Sequence, residues 1–465
     1  MNVYEKAALV RQGRLRSVQL CEEAVARIQK NDQAGRCLNA VSALAPDWRE
    51  QAEALDANPH KADTDMPLYG IPVLVKDNIE VKDMCNSAGS YVLRDLIAEE
   101  DSPLVQQLRK AGAVILGKCC LSEFAYWMSE DGMPSGYSSM NGQVVHPYNP
   151  SFDPSGSSSG SAVACAARYC DITVGTETDG SLMSPAIANA IVSLKPTVGL
   201  VSRRGILPLS HVQDTAGPMA NNVEDCVALL QAMAFPDPED PASANAVVQD
   251  YRSALETDLS GRRIGVFTVQ GETHDAQELA LLRQIIERHG GEVYEFEYEK
   301  AVVDEFECFL TEFHHDINHY LREKTCRART LADIIAMNEE DPERCLRYGQ
   351  TLLQKSNDSD RSLQDISYIS MRDTVCQEAR QLLCDVMEEQ GLSCLVTVAS
   401  STITNLAAVS GACSMTLPAR PFNEAVYEPL SYYLMAGENQ ECELIRLAYT
   451  LEQERRIVSQ PSWLK

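Results

Sequence analysis

The chain has 465 residues, 45% hydrophobic and 23% charged, and its 67 acidic against 40 basic side chains leave a net charge of −27. That length allows a large core, and no run approaches the ~18–20 consecutive apolar residues of a membrane helix. A surface this acidic repels phosphate backbones, which disfavours nucleic acid as a partner and favours solubility.

The segment Met1 to Lys30 carries charges throughout and has no apolar h-region, which points to the cytoplasm. The sixteen cysteines are scattered, form no CxxC pair and often sit in apolar or helical stretches, as at Cys165, Cys226 and Cys384. Free buried thiols follow from that pattern rather than disulfides.

Along the chain, the first 45 residues read as an amphipathic helical segment, with Leu9, Val10, Val18, Val25 and Ile28 at helical spacing. Gly70-Ile71-Pro72-Val73-Leu74-Val75 reads as a buried strand, Pro103 to Lys110 as a helix and Ala113 to Leu116 as a strand. Asn149 to Gly160 is loop, followed by a small-residue helix from Ser161 to about Arg168. Ile172-Thr173-Val174 is a strand that runs into a sharp turn ending at Ser181, and Ser184-Pro185 reads as the N-cap and first position of a helix. Residues 236–391 read as a mostly helical layer, interrupted by strands at Arg263 to Val269 and Glu292 to Phe296. Strands return at Cys394 to Val398, Ser414 to Leu417 and Leu430 to Met435, and a last helix spans Glu441 to Ile457. Strand–helix alternation of this kind predicts an α/β core. No long Gly/Ser/Pro linker and no internal repeat occurs, so one domain over 1–465 is the simplest organisation.

Three places carry chemistry. Lys76 ends an apolar strand; solvated, it is ordinary, but enclosed by apolar walls its pKa falls and the neutral amine can serve as a base. Ser155-Gly156-Ser157-Ser158-Ser159-Gly160-Ser161 reads as a flexible linker or as a cradle of N–H groups opening a helix. It is no P-loop, because no Gly-Lys-Ser/Thr follows. Ser181 sits on a strand–turn–helix corner, where a hydroxyl is exposed beside successive N–H groups. The corner lacks the second glycine of the G-x-S-x-G elbow, since Met183 stands there, and no His/Asp arrangement suggests the familiar triad.

Taken in order, Gly-Ile-Pro-Val-x-Val-Lys-Asp-Asn, the Ser/Gly loop and Gly-Thr-x-Thr-x-Gly-Ser resemble the amidase signature family. Ala111 to Lys118 with Leu121-Ser122-Glu123-Phe124, Leu194 to Ser202, Asp214-Thr215-Ala216-Gly217-Pro218-Met219 and Leu447 to Gln453 extend the resemblance over most of the chain. It implies an α/β fold with a mixed twisted central sheet covered by helices on both faces. It also implies a Ser–cis-Ser–Lys triad, with Lys76 as the lysine, Ser157 as the cis-serine and Ser181 as the nucleophile. The 24-residue interval between the two serines agrees with the family's gap. Backbone N–H groups of Thr178, Asp179, Gly180 and Ser181 would then form the oxyanion hole, and Ser158 would help orient the lysine.

Two departures narrow the resemblance. Asp179-Gly180-Ser181 stands where most members have Gly-Gly-Ser, and Met183 replaces an arginine, which argues against a substrate carboxylate at that point. The Glu-Thr-Asp-Gly-Ser form resembles the peptide amidase branch, and Glu312 to Leu321 and Thr330 to Asn338 resemble its helical layer. The expectation is a cofactor-independent hydrolase of linear amides, with a small-molecule or peptide amide as substrate and a monomer or homodimer as the working unit. The alternatives are the glutaminase subunit of a tRNA-dependent amidotransferase, which the acidic surface disfavours, and an inactive binding protein, which the intact triad positions disfavour. His314, His315 and His319 lie at helical offsets but without an H-E-x-x-H motif, so a structural or substrate-lining role is expected and no metal.

Overall fold

The computed structural model describes residues 1–58 and 66–464. The N-terminal segment is two helices rather than one helical stretch to residue 45. Val3–Arg11 starts in a capping box between Asn2 and Glu5. The left-handed Gly13 (φ 67°) turns the chain, and Ser17–Asn31 follows. Positive φ at Cys37 and Asn39 then breaks the helical path, and an edge strand follows, β1 (Val41–Leu44).

The remaining strands are β2 (Pro72–Lys76), β3 (Val114–Cys119), β4 (Tyr137–Ser138), β5 (Gly142–Gln143), β6 (Ile172–Glu177), β7 (Val192–Lys195), β8 (Thr215–Ala220), β9 (Arg263–Val269), β10 (Glu292–Tyr298), β11 (Cys394–Ala399), β12 (Cys413–Pro418) and β13 (Ser431–Ala436). The β4–β5 pair is a separate hairpin, and the others form one 11-stranded sheet in the order β1-β3-β2-β6-β8-β7-β12-β13-β11-β9-β10. Its middle is antiparallel, whereas β2 is parallel to both β3 and β6, and β9 is parallel to both β10 and β11. The fold is therefore a mixed α/β sheet flanked by helices, and the two strands read within the helical layer extend its far edge.

Burial explains why the middle strands are apolar on both faces: β2, β3, β6, β8 and β11 are buried throughout, as strands covered on two sides require. Helix Phe306–Arg322 belongs to the covering layer and turns Phe309, Phe313, Ile317 and Leu321 inward, one every four residues. They pack into a second apolar cluster with Phe124 and Trp127, in which Phe313 meets Phe124 edge-on at 6.1 Å. The sixteen cysteines are all free, ten of them buried. Among the described residues, no helix is long and apolar enough to cross a membrane.

Candidate active site

Parallel pairing brings two of the strand ends to one edge. β2 and β6 run side by side with Val75 opposite Val174, so Lys76 at the end of β2 and Glu177 at the end of β6 emerge together. The small-residue helix begins at Ser159, two residues earlier than its pattern suggested, and delivers the serine loop to the same edge. The Gly156–Ser157 peptide bond is cis. Gly175 has to be glycine here, because a Cβ would lie 2.8 Å from Ser158 Oγ and 2.7 Å from Leu182 Cδ2.

Lys76 is completely buried, and its Nζ lies 2.7 Å from Ser157 Oγ, 3.0 Å from Ser158 Oγ and 3.2 Å from the Thr176 carbonyl. A neutral amine has two N–H donors and one lone pair. The Thr176 carbonyl can only accept. The Ser158 hydroxyl donates to that same carbonyl at 2.9 Å, so toward Lys76 its oxygen is an acceptor as well. In the neutral form both N–H groups are thus used, and the lone pair is left facing the hydroxyl of Ser157. Burial pulls the Lys76 amine down from 10.5 to about 7, against the opposing pull of Asp214 and Glu177.

The turn 178–181 is shaped by Gly180 at φ 71°, a left-handed position that glycine adopts freely. Among the described residues, the N–H groups of Asp179, Gly180 and Ser181 have no hydrogen-bond acceptor. Ser181 is 7% exposed, and its carbonyl accepts from the Ser158 N–H at 3.3 Å, which ties the turn to the serine loop. The helix after the turn is Met183–Ala188, capped differently from expectation. The Glu177 carboxylate accepts the N–H groups of Leu182 (2.6 Å) and Met183 (3.0 Å), so the helix starts two residues before Pro185, and Ser184 instead bonds Thr402.

Two groups supporting this edge escape a reading of the sequence. Asp214 takes a bond from Thr178 Oγ1 at 2.5 Å, and burial raises its carboxyl to about 6. Gln213 Nε2 donates to the Thr178 carbonyl at 3.1 Å. Asp214 is visible within a family motif, but nothing local shows that it faces the turn after β6. Asp179 opens onto a pocket of about 640 Å³ walled by Trp127, Glu305, Phe306, Phe309 and Asn405. Burial and Glu177 push the Asp179 carboxyl up, while burial and Asp179 push Glu305 up, since neighbouring carboxylates resist joint ionisation. A second cavity of about 510 Å³ carries charges of both signs, among them Glu80, Arg203, Arg204 and Asp316, and meets the site at Asp214.

Of the three histidines, His319 lines the second cavity, and the other two bond to backbone of the helical layer. His314 Nδ1 and His315 Nε2 lie 3.0 and 2.9 Å from the carbonyls of Ser356 and Arg361. Among the described residues, no group of three or more His, Cys, Asp or Glu side chains is arranged to hold a metal ion.

A family profile described as Amidase matches residues 19–444. The chain belongs to the amidase signature family. Family relatives include a probable amidase of Arabidopsis thaliana, 34% identical over 97% of this chain and 89% of that one. The native peptide amidase of Stenotrophomonas maltophilia superposes with a TM-score of 0.91 at 34% identity, covering 100% of this chain and 99% of the other. One component of the glutamyl-tRNA(Gln) amidotransferase of Methylococcus capsulatus is 40% identical, but over 56% of this chain and 52% of its own length. With the amidase family goes the reaction class: the chain is a hydrolase acting on amide C–N bonds.

Proposed function

We propose that this chain is a serine amidohydrolase that releases ammonia from linear carboxamides, with peptide C-terminal amides as its substrates. Ser181 is the nucleophile, Ser157 relays protons and Lys76 is the base. The observation that carries this reading is the fully buried Lys76, whose Nζ lies 2.7 Å from Ser157 Oγ.

A serine hydroxyl attacks poorly until a base takes its proton. The proton of Ser181 Oγ passes to Ser157 as the proton of Ser157 passes to Lys76, and Ser181 Oγ bonds to the substrate carbonyl carbon. The carbonyl oxygen becomes an oxyanion facing the unengaged N–H groups of Asp179, Gly180 and Ser181, with Thr178 completing the turn. The tetrahedral centre then expels the amine: the C–N bond breaks, and the leaving nitrogen takes a proton from Ser157, which is resupplied by Lys76. Water attacks the acyl-enzyme by the same relay and frees the acid and Ser181. Ser158 holds the lysine so that its lone pair keeps this direction.

The full-length likeness to a peptide amidase supports the peptide amide as substrate, and so do the aromatic pocket at Asp179 and the absence of an arginine at Met183. All the residues proposed for the site lie in one chain, which suits a single-domain monomer or homodimer.

Ammonia release should be measured across peptide amides, aryl amides and fatty amides. Peptide amides should react fastest, Ser181→Ala should abolish turnover and Lys76→Ala should nearly do so. A fluorophosphonate probe should label Ser181; labelling that survives Ser181→Ala unchanged would overturn the assignment.

A further inference from the structure

The turn that presents Asp179, Gly180 and Ser181 is braced from outside by a buried polar arm. Glu312, on helix Phe306–Arg322, and Arg372, on helix Ile366–Arg380, form a two-pronged ion pair with contacts of 2.7 and 2.6 Å. Glu312 is inaccessible and Arg372 is 5% exposed. Tyr368 donates to Glu312 at 2.8 Å and Ser210 at 2.5 Å. Arg372 Nη1 donates to Gln213 Oε1 at 2.6 Å, which leaves the Gln213 amide one orientation, with Nε2 aimed at the Thr178 carbonyl 3.1 Å away.

In a trans peptide plane the carbonyl and the following N–H point in opposite directions. Holding the Thr178 oxygen therefore aims the Asp179 N–H, and that N–H is without an acceptor among the described residues. We propose that Gln213, oriented by the Glu312–Arg372 pair, is a positioning residue that fixes the direction of the Asp179 N–H in the oxyanion turn. The inference rests on the Ser181 reading above. It assigns the helical layer a part in the chemistry: two helices far from β6 in sequence set the angle of one donor in the turn.

Buried ion pairs are dangerous to cut on one side, because the partner is left charged and unpaired. The first test is therefore Gln213→Met, which keeps length and volume and removes the donor. Against a peptide amide, kcat should fall at least tenfold while KM stays within twofold, because the lost interaction belongs to the transition state. The thermal midpoint should move by no more than about 3 °C, a small shift for a chain this long. The second variant is the double Glu312→Leu/Arg372→Met, which removes both charges together. Its loss of kcat should not add to that of Gln213→Met when the three changes are combined, since both act through one contact. A kcat within twofold of wild type in Gln213→Met, a loss that appears in KM instead, or additive losses in the combined variant would each overturn the inference. If Ser181→Ala itself retains turnover, the underlying reading falls. If Ser181→Ala is dead and Gln213→Met is fully active, only the positioning role falls.

Discussion

Desolvation and two carboxylates pull the Lys76 amine in opposite directions, and desolvation wins, leaving it near 7. A base with that pKa is protonated and idle below it, so kcat/KM should climb with pH through about 7 and level off on the alkaline side. A profile flat from pH 6 to 9 would count against a lysine base. Asp214 raises this pKa, so Asp214→Asn, which keeps an acceptor for Thr178, should move the acid limb to lower pH; an upward shift would contradict the electrostatic account. The sign for stability is also fixed. Between about 7 and 10.5 the unfolded chain binds the lysine proton and the folded chain does not, so this group makes folding more favourable as pH rises through that window. Lys76, Ser157 and Ser181 are legible as candidates because each stands in a motif of distinctive residue types. The lone-pair accounting is not, since the Thr176 carbonyl and the Ser158 hydroxyl reach the amine only after two parallel strands and a loop have met.

Among the elements, strand β6 and its turn show how narrow the sequence choices are. Gly175→Ala would drive a methyl group into Ser158 Oγ and Leu182, displacing the oxygen that holds Lys76. The expected outcome is a folded protein with kcat reduced at least tenfold and a lowered thermal midpoint, checked by steady-state kinetics and calorimetry; an unchanged kcat would mean that Ser158 is not needed to orient the lysine. Helix Phe306–Arg322 can be probed through Phe313, fully buried against Phe124. Phe313→Ala should cost about 3–5 kcal/mol of unfolding free energy, read from denaturant titration, because it removes a large ring and leaves a cavity. That helix is readable from its repeat of apolar residues every four positions. The start of helix Met183–Ala188 differs from the sequence expectation because its cap is not Ser184 but the Glu177 carboxylate, folded back across the turn. The first 45 residues differ for a related reason: edge strand β1 exists by pairing with β3, and so short a strand does not announce a partner about 75 positions away.

For the molecule as a whole, the net charge of −27 bears directly on the choice between an independent amidase and a component of an amidotransferase. Work on tRNA would need basic surface from elsewhere, whereas the residues proposed for the site all lie in one chain. The isolated protein should release ammonia from simple amides without added partners and should fail to retard tRNA in a gel at moderate salt; activity that emerges only after copurification with other proteins would favour the amidotransferase reading.

The α/β class and most strand and helix positions are settled by local pattern, and the three candidate catalytic residues are named by their motifs in order, because periodicity, punctuation by glycine and proline, and motif chemistry are properties of short stretches. The tertiary structure alone decides strand order, the antiparallel middle of the sheet and the enclosure of Lys76. It alone joins Gln213, Glu312 and Arg372 to the turn at Ser181. Those features depend on contacts between segments tens to hundreds of residues apart, and both burial and hydrogen-bond partnership come into being only when such segments pack.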